Sequence, residues 1–226
     1  MKFMDLFMLE HSKRAYRTDF ALYGAAVVAL AVVVLTMGNG ASRLETGGFA
    51  VVGLLGWTAV EYALHRFVLH GLQPFQRWHA QHHQRPRALI CAPTMLSAAL
   101  IAALVFLPAL VLGDLWRACA LTLGLVTGYL GYAVTHHATH HWRADSVWLK
   151  QRKQWHARHH HAMKPQCYGV TSGFWDHVFG TAHRPVVVAS VEQHPARPLS
   201  VASWLRRPQR DAYLSHRTNT ASAALR

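Results

Sequence analysis

Phe20–Met37 reads FALYGAAVVALAVVVLTM, a run without a single charged residue. A helix needs about 20 such residues to cross the hydrocarbon core of a bilayer. A core helix of a soluble bundle would instead show a polar face at helical period, and this run has none. Three further runs follow it. Gly47–Leu64 is apolar except for Glu61, and Ala88–Leu112 is uncharged and contains Pro93 and Pro108. Leu115–Thr135 carries only Arg117, one turn in, where a long side chain snorkels to the interface. The expected fold is therefore all-α and integral to the membrane, with four transmembrane helices. The first run lacks a small-residue cleavage site after it, so it is expected to be an anchor rather than a removed signal peptide.

The charges divide the chain's loops. There are 23 Lys and Arg against 10 Asp and Glu, a net charge of +13. Lys13, Arg14 and Arg17 precede the first run, and Arg77, Arg85 and Arg87 lie between the second and third. A long basic series from Arg143 to Arg226 follows the fourth, while the two remaining loops hold only Arg43, with Arg117 at the edge of the fourth run. The positive-inside rule then places both termini and the middle loop in the cytoplasm. Such a basic surface favours anionic lipid headgroups. A nucleic-acid reading of the charge would concern the tail alone, and no nucleic-acid partner is expected.

The middle loop contains HAQHH (His79–His83), and the stretch after the fourth run contains HARHH (His156–His160). At roughly 100° per residue, the last two histidines of each motif lie within about 60° on either side of the first, so the three share a helix face. His136 and His140 are one turn apart at the end of the fourth run. His65 and His70 end the second, five residues and about 140° apart, which reads as a pair aimed at two different ions. An even number of spans separates these groups, so all ten emerge on one side of the membrane. Ten imidazoles exceed what one ion accepts and fit a two-metal site. His137 and His141 share the one-turn spacing of His136 and His140, and spacing alone does not choose between the pairs. His161 falls off the shared face and is expected to be solvated; His11, His183, His194 and His216 are isolated.

Ligand type does not name the ion, since imidazole suits zinc, iron, copper and nickel. Cys91, Cys119 and Cys167 are scattered, which excludes a thiolate cluster or a disulfide framework. The carboxylates of a ferritin-like di-iron bundle are missing near these histidines. A zinc pair would imply hydrolysis; an iron pair would imply dioxygen activation at a C–H bond. A site at the ends of apolar spans, open sideways to a lipid chain, favours the second.

Together EYALHRFVLH (Glu61–His70), HAQHH, YAVTHHATH (Tyr132–His140), HARHH and WDHVFGT (Trp175–Thr181) resemble the fatty acid hydroxylase family, within the wider sterol desaturase and hydroxylase superfamily. CAPTMLSA (Cys91–Ala98) and YGVTSGFWDHVFGT (Tyr168–Thr181) resemble further segments of that family, in the right order. The resemblance implies four transmembrane helices under a helical cytoplasmic cap holding two iron ions, for which zinc can substitute in a purified sample. It implies dioxygen as co-substrate, a membrane lipid as substrate, hydroxylation of an acyl chain next to its carboxyl or amide carbon, and electrons from a separate electron-transfer protein. It selects His136 and His140 over their neighbours. Carried over by position, it gives one ion His65, His79, His82, His156 and His159, and the other His70, His83, His136, His140 and His160. Where the family often has Asp, this chain has Ala133, so one hydrogen bond orienting a ligand ring is expected to be missing or supplied elsewhere. Glu61 and Asp176 are the candidates for orienting ligand rings.

Residues 1–19 are thus expected to form a cytoplasmic segment, 20–188 the membrane-embedded hydroxylase domain, and 189–226 a basic, flexible tail. Two other readings compete. A sterol or carotenoid hydroxylase or desaturase would use similar histidine motifs, although the YGVTSGFWDHVFGT segment leans toward the acyl branch by resemblance. A histidine-rich metal transporter or sensor would carry its ligands near the bilayer midplane, where this chain has none.

Overall fold

The computed structural model describes residues 10–36, 43–90 and 92–182. The expected tail, 189–226, lies outside them, as do His183, His194, His216 and Cys91. Among the described residues the fold is all-helical, apart from an isolated antiparallel bridge between Glu10 and Ile90. The helices are α1 (Lys13–Thr36), α2 (Arg43–Ala63), α3 (Phe75–Gln84), α4 (Thr94–Ile101), α5 (Leu107–Leu112), α6 (Leu115–His141), α7 (Val147–His161) and α8 (Phe174–Val178). Two π-helical segments, Leu64–Leu69 and Ala102–Phe106, continue α2 and join α4 to α5.

Four helical stretches are long and apolar enough to cross a membrane: Lys13–Thr36, Arg43–Leu69, Thr94–Leu112 and Leu115–His141. Their outward faces are apolar, with Leu104 70% and Val111 79% exposed, as expected of surface that meets lipid rather than water. The first begins seven residues ahead of Phe20, because Ser12 accepts the Ala15 N–H at 3.2 Å and starts the helix there. That extension brings Asp19 inside the helix. The third begins at Thr94 rather than Ala88, since Pro93 holds an extended backbone just before it. Pro108 supplies no N–H to the Leu104 carbonyl, and the π register surrounds that residue.

α6 is the central post. It packs along α2, and also against α1 and α5. The α2–α6 crossing is close enough that a Cβ at Gly53 would strike the Leu121 carbonyl, and one at Gly124 the Ala50 carbonyl. Small residues of this kind let two membrane helices pack by direct backbone contact. At one end of the crossing, Arg117 pairs with Glu45 at 2.7 Å and Asp114 at 2.8 Å. At the other end α2 and α6 run on past the apolar stretch, and these extensions carry His65, His70, His136 and His140. Helices α3 and α7 pack there as a cap, α7 starting where Ser146 accepts the Leu149 N–H at 3.1 Å.

Candidate metal centre

All ten predicted histidines meet at this end of the bundle, in two groups of five. His65, His70, His79, His83 and His159 form the first; His82, His136, His140, His156 and His160 form the second. Within each group one ring nitrogen per residue lies within 4.8 Å of all the others. The groups touch, with the His83 and His160 rings stacked at 4.2 Å between centroids.

This sorting differs from the one the family resemblance implies, and helix geometry explains it. Residues four apart on an α-helix stay together: His79 with His83, His136 with His140, and His156 with His160. Residues three apart turn the other way, so His82 leaves its own trio for the second group and His159 leaves its trio for the first. His65 and His70 belong together because they do not lie on an α-helix. The π-helical turn bonds each N–H five residues back, His70 N–H to the His65 carbonyl at 3.2 Å, and so stacks residues five apart on one face. Their ring centroids are 5.3 Å apart.

The donor set fits metal ions. His65 Nδ1 lies 2.5 Å from the Tyr168 carbonyl and His159 Nδ1 lies 2.7 Å from the Gln166 carbonyl. A carbonyl only accepts, so both rings carry their proton on Nδ1 and present a bare lone pair at Nε2. Those Nε2 atoms nevertheless crowd other imidazole nitrogens. His65 Nε2 is 3.0 Å from His79 Nε2, and His159 Nε2 is 3.1 Å from both His70 Nε2 and His83 Nε2. The second group repeats this: His82 Nε2 is 3.0 Å from His136 Nε2, and His156 Nε2 is 2.8 Å from His140 Nε2 and 3.0 Å from His160 Nε2. Nitrogens about 2.1 Å from a common ion and at right angles would be about 3.0 Å apart. Five converging lone pairs make sense around a cation and repel without one.

Burial sets the charge state of the cap histidines. It lowers His70 to about 4, His82 and His159 to about 3 and His160 to about 2, with neighbouring imidazoles adding to the effect. His79, His83 and His156 are lowered by the same principal cause. These rings are neutral at pH 7, the form that binds metal.

Glu61 and Asp176 are both buried, and both act one step behind the rings. Glu61 accepts from the N–H groups of Val170 at 2.6 Å and Thr171 at 3.0 Å, and from the Thr171 hydroxyl at 2.5 Å. Asp176 accepts from the N–H groups of Tyr168 and Gly169, each at 2.8 Å, and from the Thr181 hydroxyl at 2.8 Å. The two carboxylates clamp the 168–171 loop, whose Tyr168 carbonyl holds His65. The carbonyls of Tyr168 and Gln166 escape sequence reasoning, because every residue has one. Only the likeness of the Tyr168–Thr181 segment to the family hinted that this loop matters.

The remaining described histidines stand apart. His137 faces away from the groups, with Nδ1 3.2 Å from the Tyr16 hydroxyl and its ring stacked on His141. His161 is exposed. His11 is half-buried beside the backbone of Leu89.

On the span side of the two groups lies a cavity of about 150 Å³. His79, His82 and His136 line it together with Phe20, Leu69, Phe75, Trp78 and Leu96, and Asp19, Tyr129 and Tyr132 add polar groups. It is a mostly apolar chamber touching both imidazole groups.

A helical membrane bundle with ten convergent imidazoles beside an apolar chamber has the build of a membrane enzyme whose site could hold metal. The model of the fatty acid hydroxylase family matches residues 50–181, more than half of the chain. The chain belongs to that family, and it is an oxidoreductase. It is 32% identical over 171 residues to the dihydroceramide fatty acyl 2-hydroxylase FAH2 of Arabidopsis thaliana, covering 66% of this chain and 67% of that one. It is 33% identical over 145 residues to the ceramide very long chain fatty acid hydroxylase scs7 of Schizosaccharomyces pombe, covering 59% of this chain but 42% of the relative. Among solved structures it resembles full-length scs7p, in which only the hydroxylase domain is visible, with a TM-score of 0.68 and 26% identity over 79% of this chain and 69% of that one.

Proposed function

We propose that this chain is a membrane lipid hydroxylase that places a hydroxyl on a fatty acyl chain at the carbon next to its carbonyl. One observation carries the reading: two sets of five imidazole nitrogens, each within 4.8 Å, meet beside a mostly apolar chamber lined by His79, His82 and His136, at the end of four membrane-length helices. The 2-hydroxylases among the relatives support the position of attack. Zinc has no redox chemistry, whereas iron, which imidazole also suits, activates dioxygen against an unactivated C–H bond; iron is the metal assigned here, with zinc a substitute in purified samples.

In this reading the ten histidines, His65, His70, His79, His82, His83, His136, His140, His156, His159 and His160, hold two iron ions as neutral ligands. With two iron ions bound, the site would gain the capacity to activate dioxygen towards a C–H bond. The chain's own residues do the rest. The Tyr168 and Gln166 carbonyls fix the tautomer and tilt of His65 and His159, and Glu61 and Asp176 hold the loop that presents Tyr168. Phe20, Leu69, Phe75, Trp78 and Leu96 receive the acyl chain and exclude water. The overall reaction consumes the lipid C–H, dioxygen, two electrons and two protons, and yields the alcohol and water. The electrons come from a separate electron-transfer protein.

We place the histidine end in the cytoplasm together with both termini. Lys13, Arg14, Arg17, Arg77, Arg85 and Arg87 gather at that end, where they also attract anionic headgroups. The test is mass spectrometry of lipids from cells expressing the chain. New 2-hydroxyacyl species, absent with His82→Ala or His159→Ala, support the reading; unchanged acyl chains beside hydroxylated pigments or sterols overturn it.

A further inference from the structure

Helix α1 is uncharged from Phe20 onward, and its only buried side chains are Asp19, just before that run, and Tyr23. An acid buried in a membrane-length helix carries a desolvation cost and marks a functional site unless a cation neutralises it. Asp19 is 6% exposed, and no Lys or Arg pairs with it among the described residues. Its Oδ1 accepts from the Thr94 hydroxyl at 2.5 Å, which ties α1 to the start of α4. It lines the same chamber as His79, His82 and His136, with Tyr129 and Tyr132 on the facing helix.

The chamber is small. At about 150 Å³ it falls below the roughly 300 Å³ at which small-molecule sites begin. It therefore admits the reacting end of a lipid and not the whole molecule. This reasoning rests on the proposed hydroxylation beside the carbonyl: if that carbon enters the chamber, the group attached to the carbonyl enters with it and shares the space with Asp19. An amide N–H there donates to the carboxylate. A free carboxylate there meets a second negative charge away from bulk water.

We propose that Asp19 is the specificity-determining residue of this chain: its carboxylate accepts the N–H of an amide-linked acyl chain and turns away free fatty acids. A site built around a hydrogen bond to substrate rejects analogues that lack the donor, because its own buried group is then left unpaired. Asn at this position keeps an oxygen for Thr94 but loses the charge, so a purely structural role would survive the change.

The experiment uses the full-length, iron-loaded chain in lipid–detergent micelles with three probes: N-octylhexadecanamide, its N-methyl analogue and hexadecanoate. Binding by competition and 2-hydroxy product by mass spectrometry are both measured. The wild-type chain should bind the N–H amide at least about tenfold more tightly than either of the others, the worth of one hydrogen bond to a charged group. Asp19→Asn should cut that preference at least about tenfold, through KM more than kcat, while metal content stays level. Equal binding of the three probes by the wild type overturns the proposal without any variant. So does an Asp19→Asn chain that keeps the full preference. Asp19-dependent binding without any product leaves the headgroup role standing and removes the proposed reaction instead.

Discussion

The two imidazole groups have the same number of rings and different support. In the first, His65 and His159 are each held at Nδ1 by a backbone carbonyl, and the loop carrying one of those carbonyls is clamped by two buried carboxylates. In the second, the Nδ1 atoms of His82 and His156 are buried without a hydrogen-bond partner among the described residues. Ala133, which shares the chamber wall with His82 and His136, has no acceptor to offer. Partners of this kind orient a ligand ring and raise its basicity, and losing one commonly costs tenfold to a hundredfold in metal affinity. The first group is preorganised by the fold; the second relies on packing. The comparison teaches that equal ligand counts need not mean equal grip.

The largest effects test the sorting itself. His159→Ala and His82→Ala should each abolish hydroxylated product and reduce metal content from two ions to about one, measured by mass spectrometry of metal and lipid. Because the two residues belong to different groups, the double variant should retain almost none. If the double variant still held one ion, the two histidines would share a site, as the family-derived partition has it. Acid comes next and should strike both groups alike. The folded chain holds one ring of each group, His82 and His159, at about 3, against about 6.5 in an unfolded chain. Below pH 6.5 the unfolded chain therefore takes up more protons. The stability of the metal-free protein should fall as pH drops from about 6.5 towards 3, and stay level above that range. The loss should be seen as a thermal midpoint that falls with pH across this range.

The spans, eight of the ten histidines and their shared side are legible in hydropathy and helical spacing, while His136 and His140 stand apart from His137 and His141 only through the family resemblance. The division into fives is not legible. It turns on whether a residue is three or four positions from its neighbour, a difference of one step around the helix, and on a π-helical turn at Leu64–Leu69 that no spacing rule announces. The roles of Glu61 and Asp176 were half legible: their importance showed, but their target is main chain, and a backbone N–H carries no signature in sequence. Asp19 is hidden by a boundary: the uncharged run starts at Phe20, whereas the helix starts at Lys13 and takes the acid inside.

Removing the clamp should bring the first group down toward the second. Glu61→Gln or Asp176→Asn turns accepting oxygens toward a loop that offers N–H and O–H donors, and replaces part of them with a donor. A loss of about 1–3 kcal/mol in stability is expected, the cost of buried polar groups left unpaired. The loss should be accompanied by weaker metal retention at the His65 site. An unchanged thermal midpoint in both variants would show that the loop is held by other means.

The smallest effect is the most direct measure of the contrast. A chelator added to the metal-loaded chain should remove the two ions in two phases, the second group's ion leaving first and about tenfold to a hundredfold faster, the range expected for a missing partner at a ligand ring. His140→Ala should delete the fast phase and His79→Ala the slow one, which assigns each phase to its group. Glu61→Gln should narrow the gap by speeding only the slow phase, since the carboxylate supports His65 through Tyr168 and touches nothing in the second group. A single phase in the wild-type chain would mean that the stacked His83 and His160 rings couple the groups strongly enough to release both ions together, and the difference in support would then have no bearing on how either is held.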